Sequence, residues 1–506
     1  MFGGLGDLGR LYWGLLYWNG RKALYRAKGA SGTAPCQHPS DSGRAHETGC
    51  EACHGWRDAS RFALVCPLLE SAPGGRRVCS VPAARVRPFW GRALAAYGIL
   101  ACALAALSVL AAFAAFRAVG YRVPLAVVAW PPAWHEIQKA RADYFHRMAL
   151  LALATGDVRQ AFLALGQAYA LDPDDADAAL LLARLSQIAN PDFSDRVYSR
   201  LLTHGSPRSE EAAEAWFRAL LERGDLRGLG TLSARMLGDD AGHVPAWTEG
   251  VLFSAAMTGD VALERRLLAG RLPREAQLAL GLDVALRSEG AGARLRSIEV
   301  TMGGAHTPFE IYNVLTQVLA LGRSREALEF LDGPEAATLA AFDREALRLD
   351  AYARLGWAPL ESREIDSVLE QGSTVPVLVL LSTHLIRHPN PALAEGVFAR
   401  LARRPLPASP QTVGAHMALM CMAGVNGLPA RMREEADAIG PAVGGSLAAW
   451  GRVREFFESR EPGKNPAAFL PALDQLPLEV LYAVVARYRA QAGPPPGSAA
   501  AEQPPG

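Results

Sequence analysis

The sequence predicts an all-α protein in three parts: a small cysteine-rich head, a single membrane-crossing helix and a long helical-repeat domain of the α-solenoid type. Three observations carry this reading. Residues 93–116 run 24 positions without a charge, Pro, Asn or Gln. Five of the seven cysteines lie before that run. After residue 140, apolar residues recur at three- and four-residue spacing, with Gly or Pro breaks every 12 to 20 residues and almost no strand-like alternation.

Length and composition set the frame. A chain of 506 residues, half hydrophobic and one fifth charged, has room for two to four domains and enough apolar surface to fold. Its formal charge of +1 conceals an asymmetry. Residues 1–92 carry 13 Lys/Arg against 6 Asp/Glu, and the remainder carries 39 against 45. The basic head meets the acidic remainder at the apolar run.

That run, "ALAAYGILACALAALSVLAAFAAF", would reach roughly 36 Å as a helix, enough for the hydrocarbon core of a bilayer. With 92 residues ahead of it, it reads as an anchor rather than a cleaved signal. Arg76, Arg77, Arg85, Arg87 and Arg92 precede it, while Arg117 and Arg122 follow. The bias predicts a single-pass protein of a bacterial inner membrane, N-terminus cytoplasmic and C-terminal domain periplasmic or otherwise extracytoplasmic. Residues 117–139 then form an interfacial linker, with Trp130 and Trp134 around Pro131 and Pro132 suited to the headgroup layer. Membrane lipid is the expected partner of the basic charge, in preference to nucleic acid, because the charges flank the span.

The head, residues 31–92, holds Cys36, Cys50, Cys53, Cys66 and Cys79 with His38, His46 and His54 in loops that offer little core. Such a segment generally needs a metal or disulfides. In a reducing cytoplasm the Cys50-x-x-Cys53 pair points to tetrahedral zinc, completed from Cys36, Cys66, Cys79 or a histidine. Disulfides and an empty head are the alternatives. "CEACH" also satisfies the Cys-x-x-Cys-His pattern of covalent haem attachment through Cys50, Cys53 and His54. That gives a second function class, a membrane-bound electron-transfer protein, which requires the head to lie outside the cytoplasm.

Ahead of the cysteines, residues 1–30 include an amphipathic stretch. Leu8, Leu11, Tyr12, Leu15 and Trp18 share a side, and Arg10 and Arg21 face away. It suits either an in-plane membrane helix or a cover for the head.

The repeat region, residues 140–490, is best defined by "ARADYFHRMALLALATGDVRQAFLALGQAYALDPDD". Gly156 sits at a turn, Ala161 and Ala168 fall on one helix face, and Pro173 closes the unit; Phe145, Met148 and Leu165 supply large residues. This unit resembles the tetratricopeptide repeat family. Gly322 with Ala327, and the Gly-Asp pairs at Gly224 and Gly259, repeat the turn in fragments. The resemblance implies antiparallel helix pairs whose inner face binds a protein partner, here through Asp143, His146, Arg147, Leu150 and Leu153. His146 and Leu150 stand where carboxylate-gripping members carry Lys and Asn, so that clamp is absent.

No catalytic motif emerges, and the chain is read as a non-enzyme with no small-molecule substrate. "WHEIQK" has Lys139 where a second metal histidine would stand, and "DPDDAD", Asp172 to Asp177, lacks the Gly and Glu of a calcium loop and reads as a helix cap. The Pro/Gly-rich tail, residues 491–506, is expected to be disordered. The function expected is a membrane-anchored interaction scaffold with a zinc-stabilised head.

Overall fold

The computed structural model describes residues 3–31, 35–38, 49–54, 56, 59–71, 77–203, 205–238, 242–288, 290–443, 447–459 and 464–492. His46 and the tail beyond Ala492 lie outside them. The chain divides into two compact units, Met1–Gly156 with Ala170–Asp172, and Asp157–Tyr169 with Pro173–Gly506.

The first unit opens with α1 (Gly3–Ala27). Four short strands follow: β1 (Gln37–His38), β2 (Gly49–Cys50), β3 (Leu69–Ser71) and β4 (Arg77–Cys79). They form an antiparallel sheet in the order β1-β2-β4-β3. This sheet departs from the all-α expectation. Strands of two or three residues are too short to display period-two alternation, so the pattern that announces a strand never develops. Leu15, Phe62, Val65 and Val86 close a small core beneath it. On α1, therefore, Leu15 covers the head, while Leu8, Trp13, Leu16, Tyr17 and Leu24 stay exposed.

Helix α2 (Trp90–Val119) contains the apolar run and is long and apolar enough to cross a membrane, with its hydrophobic side chains facing outward. It lies antiparallel to α1. Asn19 Oδ1 accepts from the Phe89 N–H at 2.8 Å, and eight residues further along α2 the Tyr97 hydroxyl donates to the Tyr12 carbonyl at 2.8 Å. Gly120 ends α2 at φ 101°, a left-handed conformation that glycine adopts without strain. The linker then turns back: α3 (Leu125–Ala129) sets Val123, Val127 and Val128 against Val109, Phe113 and Phe116 of α2. Helix α4 (His135–Ala154) is tied to this turn by an edge-to-face contact of Tyr121 and Tyr144 at 5.1 Å. It begins five residues before the repeat boundary read from the sequence.

The second unit is helical throughout its described residues. Its helices are α5 (Val158–Leu171), α6 (Ala176–Ser186), α7 (Pro191–Thr203), α8 (Ser209–Arg223), α9 (Leu226–Gly238), α10 (Val244–Thr258), α11 (Ala262–Leu268), α12 (Arg274–Ser288), α13 (Ala291–Gly304), α14 (Pro308–Ala320), α15 (Ser324–Leu331), α16 (Ala341–Leu355), α17 (Ala358–Glu370), α18 (Val375–Arg387), α19 (Pro391–Leu401), α20 (Val413–Val425), α21 (Pro429–Val443), α22 (Leu447–Glu458) and α23 (Leu478–Ala492). The acidic stretch behaves as a cap: Asp175 Oδ1 accepts from the N–H groups of Asp177 and Ala178 at 3.1 Å each, opening α6. Thr307 and Glu310 form a reciprocal capping box on α14.

The turns between successive helices recur with a period. Gly156, Asn190, Gly224, Gly259, Gly290, Gly322, Gly356, Asn390 and Gly427 each separate an even-numbered helix from the odd-numbered helix after it, at intervals of 34, 34, 35, 31, 32, 34, 34 and 37 residues. Where the residue is Asn, its side chain accepts a backbone N–H of the next helix three residues on, and proline follows at the first helical position. Even-numbered helices from α10 to α20 pack one upon the next, forming a continuous layer.

Helix α23 breaks that nearest-neighbour order. It packs against α8, α10 and α18, where Tyr482 meets Phe253 at 4.6 Å and Phe217 at 6.3 Å. Val480, Leu481, Val484 and Val485 are fully buried there. Arg218 on α8 donates to the carbonyls of Leu473 and Leu476 at 3.1 and 2.6 Å, anchoring the segment that leads into α23.

Candidate functional site

The head gathers its cysteines from distant positions. Cys36 and Cys50 flank the first hairpin, where Gln37 pairs with Cys50, and Cys66 and Cys79 flank the second, where Leu69 pairs with Cys79. Cys36, Cys50, Cys66 and Cys79 line one cavity of about 10 Å³ together with Lys22 and Phe62. Cys53 is also buried, and its thiol donates to the Cys50 carbonyl at 3.1 Å. Burial pushes the Cys36 thiol up to about 11 and the Cys50 thiol up to about 12, so both are neutral unless a cation joins them.

Lys22 is the residue that the sequence did not announce. It is almost wholly buried, its Nζ donates to Cys66 Sγ at 2.9 Å, and it lies 5.5 Å from the Phe89 ring. Its one signal is position: Leu15, Trp18 and Lys22 follow one another at helical spacing on the face that covers the head.

The donor set suits a thiophilic cation, being buried, sulfur-rich and compact. Among the described residues, however, no three head ligand atoms lie within 4.8 Å of one another; the trio meeting that distance is Glu210, Glu214 and His243, all exposed. Binding would therefore draw the sulfurs together. His54 is exposed and its Nδ1 lies 3.1 Å from the Cys50 carbonyl, while His38 is a strand residue opposite Gly49.

The residues predicted to meet a partner lie on α4, in the first unit. Asp143 and Leu150 are exposed, and His146, Arg147 and Leu153 are half-buried. Ala142, Ala149 and Ala152 are buried on the adjoining face.

The second unit contains a cavity of about 390 Å³ bordered by α10, α14, α16, α18 and α23. Several of its residues share the register of the α4 set. Counting back from the turn residue, Asp143, His146, Leu150 and Leu153 stand 13, 10, 6 and 3 positions before Gly156. Asp343 stands 13 before Gly356, Glu249 and Tyr312 stand 10 before Gly259 and Gly322, Asp350 and His384 stand 6 before Gly356 and Asn390, and Arg387 stands 3 before Asn390.

The electrostatics are uneven. His384 faces Glu361 at 2.8 Å, and burial holds its imidazole below the ordinary value despite that carboxylate. Burial acts to raise Asp350, but hydrogen bonds from His388 and Arg354 outweigh it and hold the carboxyl low. Glu249 is pushed up by desolvation, partly offset by Arg387, and Asp343 by desolvation alone.

No protein-family model matches this chain, and no curated protein matches its sequence.

Proposed function

We propose that the chain is a single-pass membrane scaffold whose helical domain binds a protein partner and whose head is stabilised by zinc. The observation that carries the reading is the recurrence of turn residues at intervals of 31 to 37 residues, four of the eight being 34, the length of a tetratricopeptide unit; it extends the resemblance from one unit to nine turns. Stacks of this kind present one helix per unit along an extended inner face, a surface built for recognition. Helix α2 would anchor the scaffold, and the exposed aromatic and leucine face of α1, running antiparallel beside its first turns, would lie in the adjoining lipid layer.

Zinc would be held by Cys36, Cys50, Cys66 and Cys79, with Cys53 kept aside by its bond to the Cys50 carbonyl. The metal would supply cross-linking between the two hairpins; Lys22 would place a positive charge beside a site that four thiolates make negative overall.

Sidedness and partner contact test the reading. A reporter active only outside the cytoplasm should work when fused after Pro191 and fail when fused near Gly32. A photo-crosslinking residue at Leu150, half exposed at 50%, should yield a discrete protein adduct in native membranes. The opposite reporter pattern, or no adduct, would overturn the corresponding part.

A further inference from the structure

Lys22 is the one fully buried Lys or Arg among the described residues, and its side chain faces sulfur instead of a carboxylate. Two arginines of the helical unit show the usual alternative, Arg223 holding Asp195 at 2.8 Å and Arg431 holding Glu395 at 2.6 Å. Taking an ammonium out of water without an anion is costly, so a lysine in such a place needs a reason in its surroundings. Its hydrogen bond among the described residues runs from Nζ to Cys66 Sγ at 2.9 Å. That is the separation of an ordinary N–H···O bond, although sulfur is the larger atom.

The contact is held from both sides. On α1, Leu15 packs into the head core and both ends of the Asn19 amide are engaged: Nδ2 donates to the Leu15 carbonyl at 2.7 Å and Oδ1 accepts from the Phe89 N–H, whose ring lies 5.5 Å from the Lys22 Nζ. Cys66 is fixed by its own N–H, which donates to the Phe62 carbonyl at 2.9 Å. Both residues border the cavity of about 10 Å³ that Cys36, Cys50 and Cys79 also line. A space of that size holds about one water-sized molecule. It excludes a bulky oxidant such as oxidised glutathione and leaves dioxygen and hydrogen peroxide as the oxidants of fitting size.

We propose that Lys22 and Cys66 form a covalent, reducible link in which one oxygen atom joins Nζ to Sγ. A direct nitrogen–sulfur bond would require the two atoms to close far inside their present separation, whereas a bridging oxygen spans most of it. With dioxygen, the ammonium and the thiol give Lys–NH–O–S–Cys, one water and one proton released to solvent; nitrogen and sulfur each lose two electrons, and dioxygen takes all four. With hydrogen peroxide, two molecules are consumed and three waters leave with the same proton. Two molecules of a dithiol, each becoming a disulfide, return the amine, the thiol and one water. The link ties α1 to the turn before β3, across 44 positions. It also withdraws Cys66 from the four thiols proposed for zinc, so on that reading oxidation of the pair and loading of the metal exclude each other. The chemistry of the link itself does not depend on a metal.

Mass spectrometry of the full chain in detergent tests the link. Reduced, metal-free protein is divided between argon, air-saturated buffer and dilute hydrogen peroxide; free thiols are then alkylated and the chain is digested. After air or peroxide, the peptide with Lys22 should appear joined to the peptide with Cys66, heavier than their sum by one oxygen less two hydrogens, and dithiothreitol should separate them. The joined species should be absent under argon and in Lys22→Arg and Cys66→Ser. Should either variant fail to fold, the parent chain alone decides the outcome. Zinc added before the oxidant should suppress the link; an undiminished yield would keep the link and remove Cys66 from the metal set, while the zinc content of the reduced chain reports on the metal reading separately. Cys66 recovered in a disulfide with another cysteine, Cys66 oxidised while Lys22 stays free, or both residues unmodified after air and peroxide would overturn the link.

Discussion

The head and the helical unit reach stability by different routes. In the head a handful of apolar side chains surround five cysteines and a buried lysine. In the helical unit an apolar cluster draws on residues between Ala213 and Val485, with two further clusters at residues 282–351 and 179–212. A small core leaves thiols and an ammonium inside because there is little else to put there, and chemistry must complete the fold. A large core needs no such help.

The sharpest way to break the comparison is to remove the metal. Chelation, or replacement of both Cys50 and Cys66 by Ser, should release about one equivalent of zinc and unfold the head, an effect on the order of 10 kcal/mol. Limited proteolysis would show cleavage within residues 31–92 and an intact helical unit. A head that resists both treatments would end the zinc reading, and a coloured protein would promote the haem reading.

The corresponding cut in the helical unit is Tyr482→Ala. Losing the contacts to Phe217 and Phe253 should cost about 4 kcal/mol and lower the helical melting transition while leaving head proteolysis unchanged. A smaller effect comes from crowding. A Cβ at Gly250 would lie 2.6 Å from Phe217 and also against Ser233, so Gly250→Ala should destabilise the α9–α10 contact by about 2 kcal/mol, measured by chemical denaturation.

The smallest effect is pH-dependent. Glu264 is fully buried with Asp283 beside it, and desolvation, aided by Asp283, pushes its carboxyl up to about 8. The unfolded carboxyl titrates near about 4.3, so the folded form holds its proton more tightly. That contribution is complete below about pH 4.3 and is lost as pH rises to about 8. Glu264→Gln should therefore stabilise the helical unit at pH 9 relative to the parent and leave pH 4 nearly unchanged, as read from paired melting curves.

Much of the helical architecture was legible because its signals are local. The uncharged run at residues 93–116 gave the long apolar helix, and Gly156, Gly224, Gly259 and Gly322 were visible as turns. The full period was not visible while glycine alone was followed, because Asn190 and Asn390 do the same work through side-chain caps. With those two included, the register of Asp143, His146, Leu150 and Leu153 carries forward to Asp343, Tyr312, Asp350 and Arg387, and the cavity becomes readable from sequence. The head resisted for the opposite reason. Its sheet joins residues 37, 50, 69 and 79 through strands too short to show a pattern, and Lys22 reaches Cys66 across 44 positions. Helix α23 is likewise a non-local feature, since no sequence period announces a return to α8.

That return sets the order in which the protein can be completed. Arg218 bonds to Leu473, 255 residues downstream, and the aromatic surface around Phe217 and Phe253 is covered by Tyr482. During synthesis the middle of the stack emerges long before its lid. At about 5–20 residues per second the interval is tens of seconds, during which that surface is open to water and to other chains. Shortened products ending before residue 465 would keep it open permanently. The segment that covers this surface is thus made long after the surface itself, and a protease that removes chains with uncovered aromatic surface would distinguish covered molecules from interrupted ones.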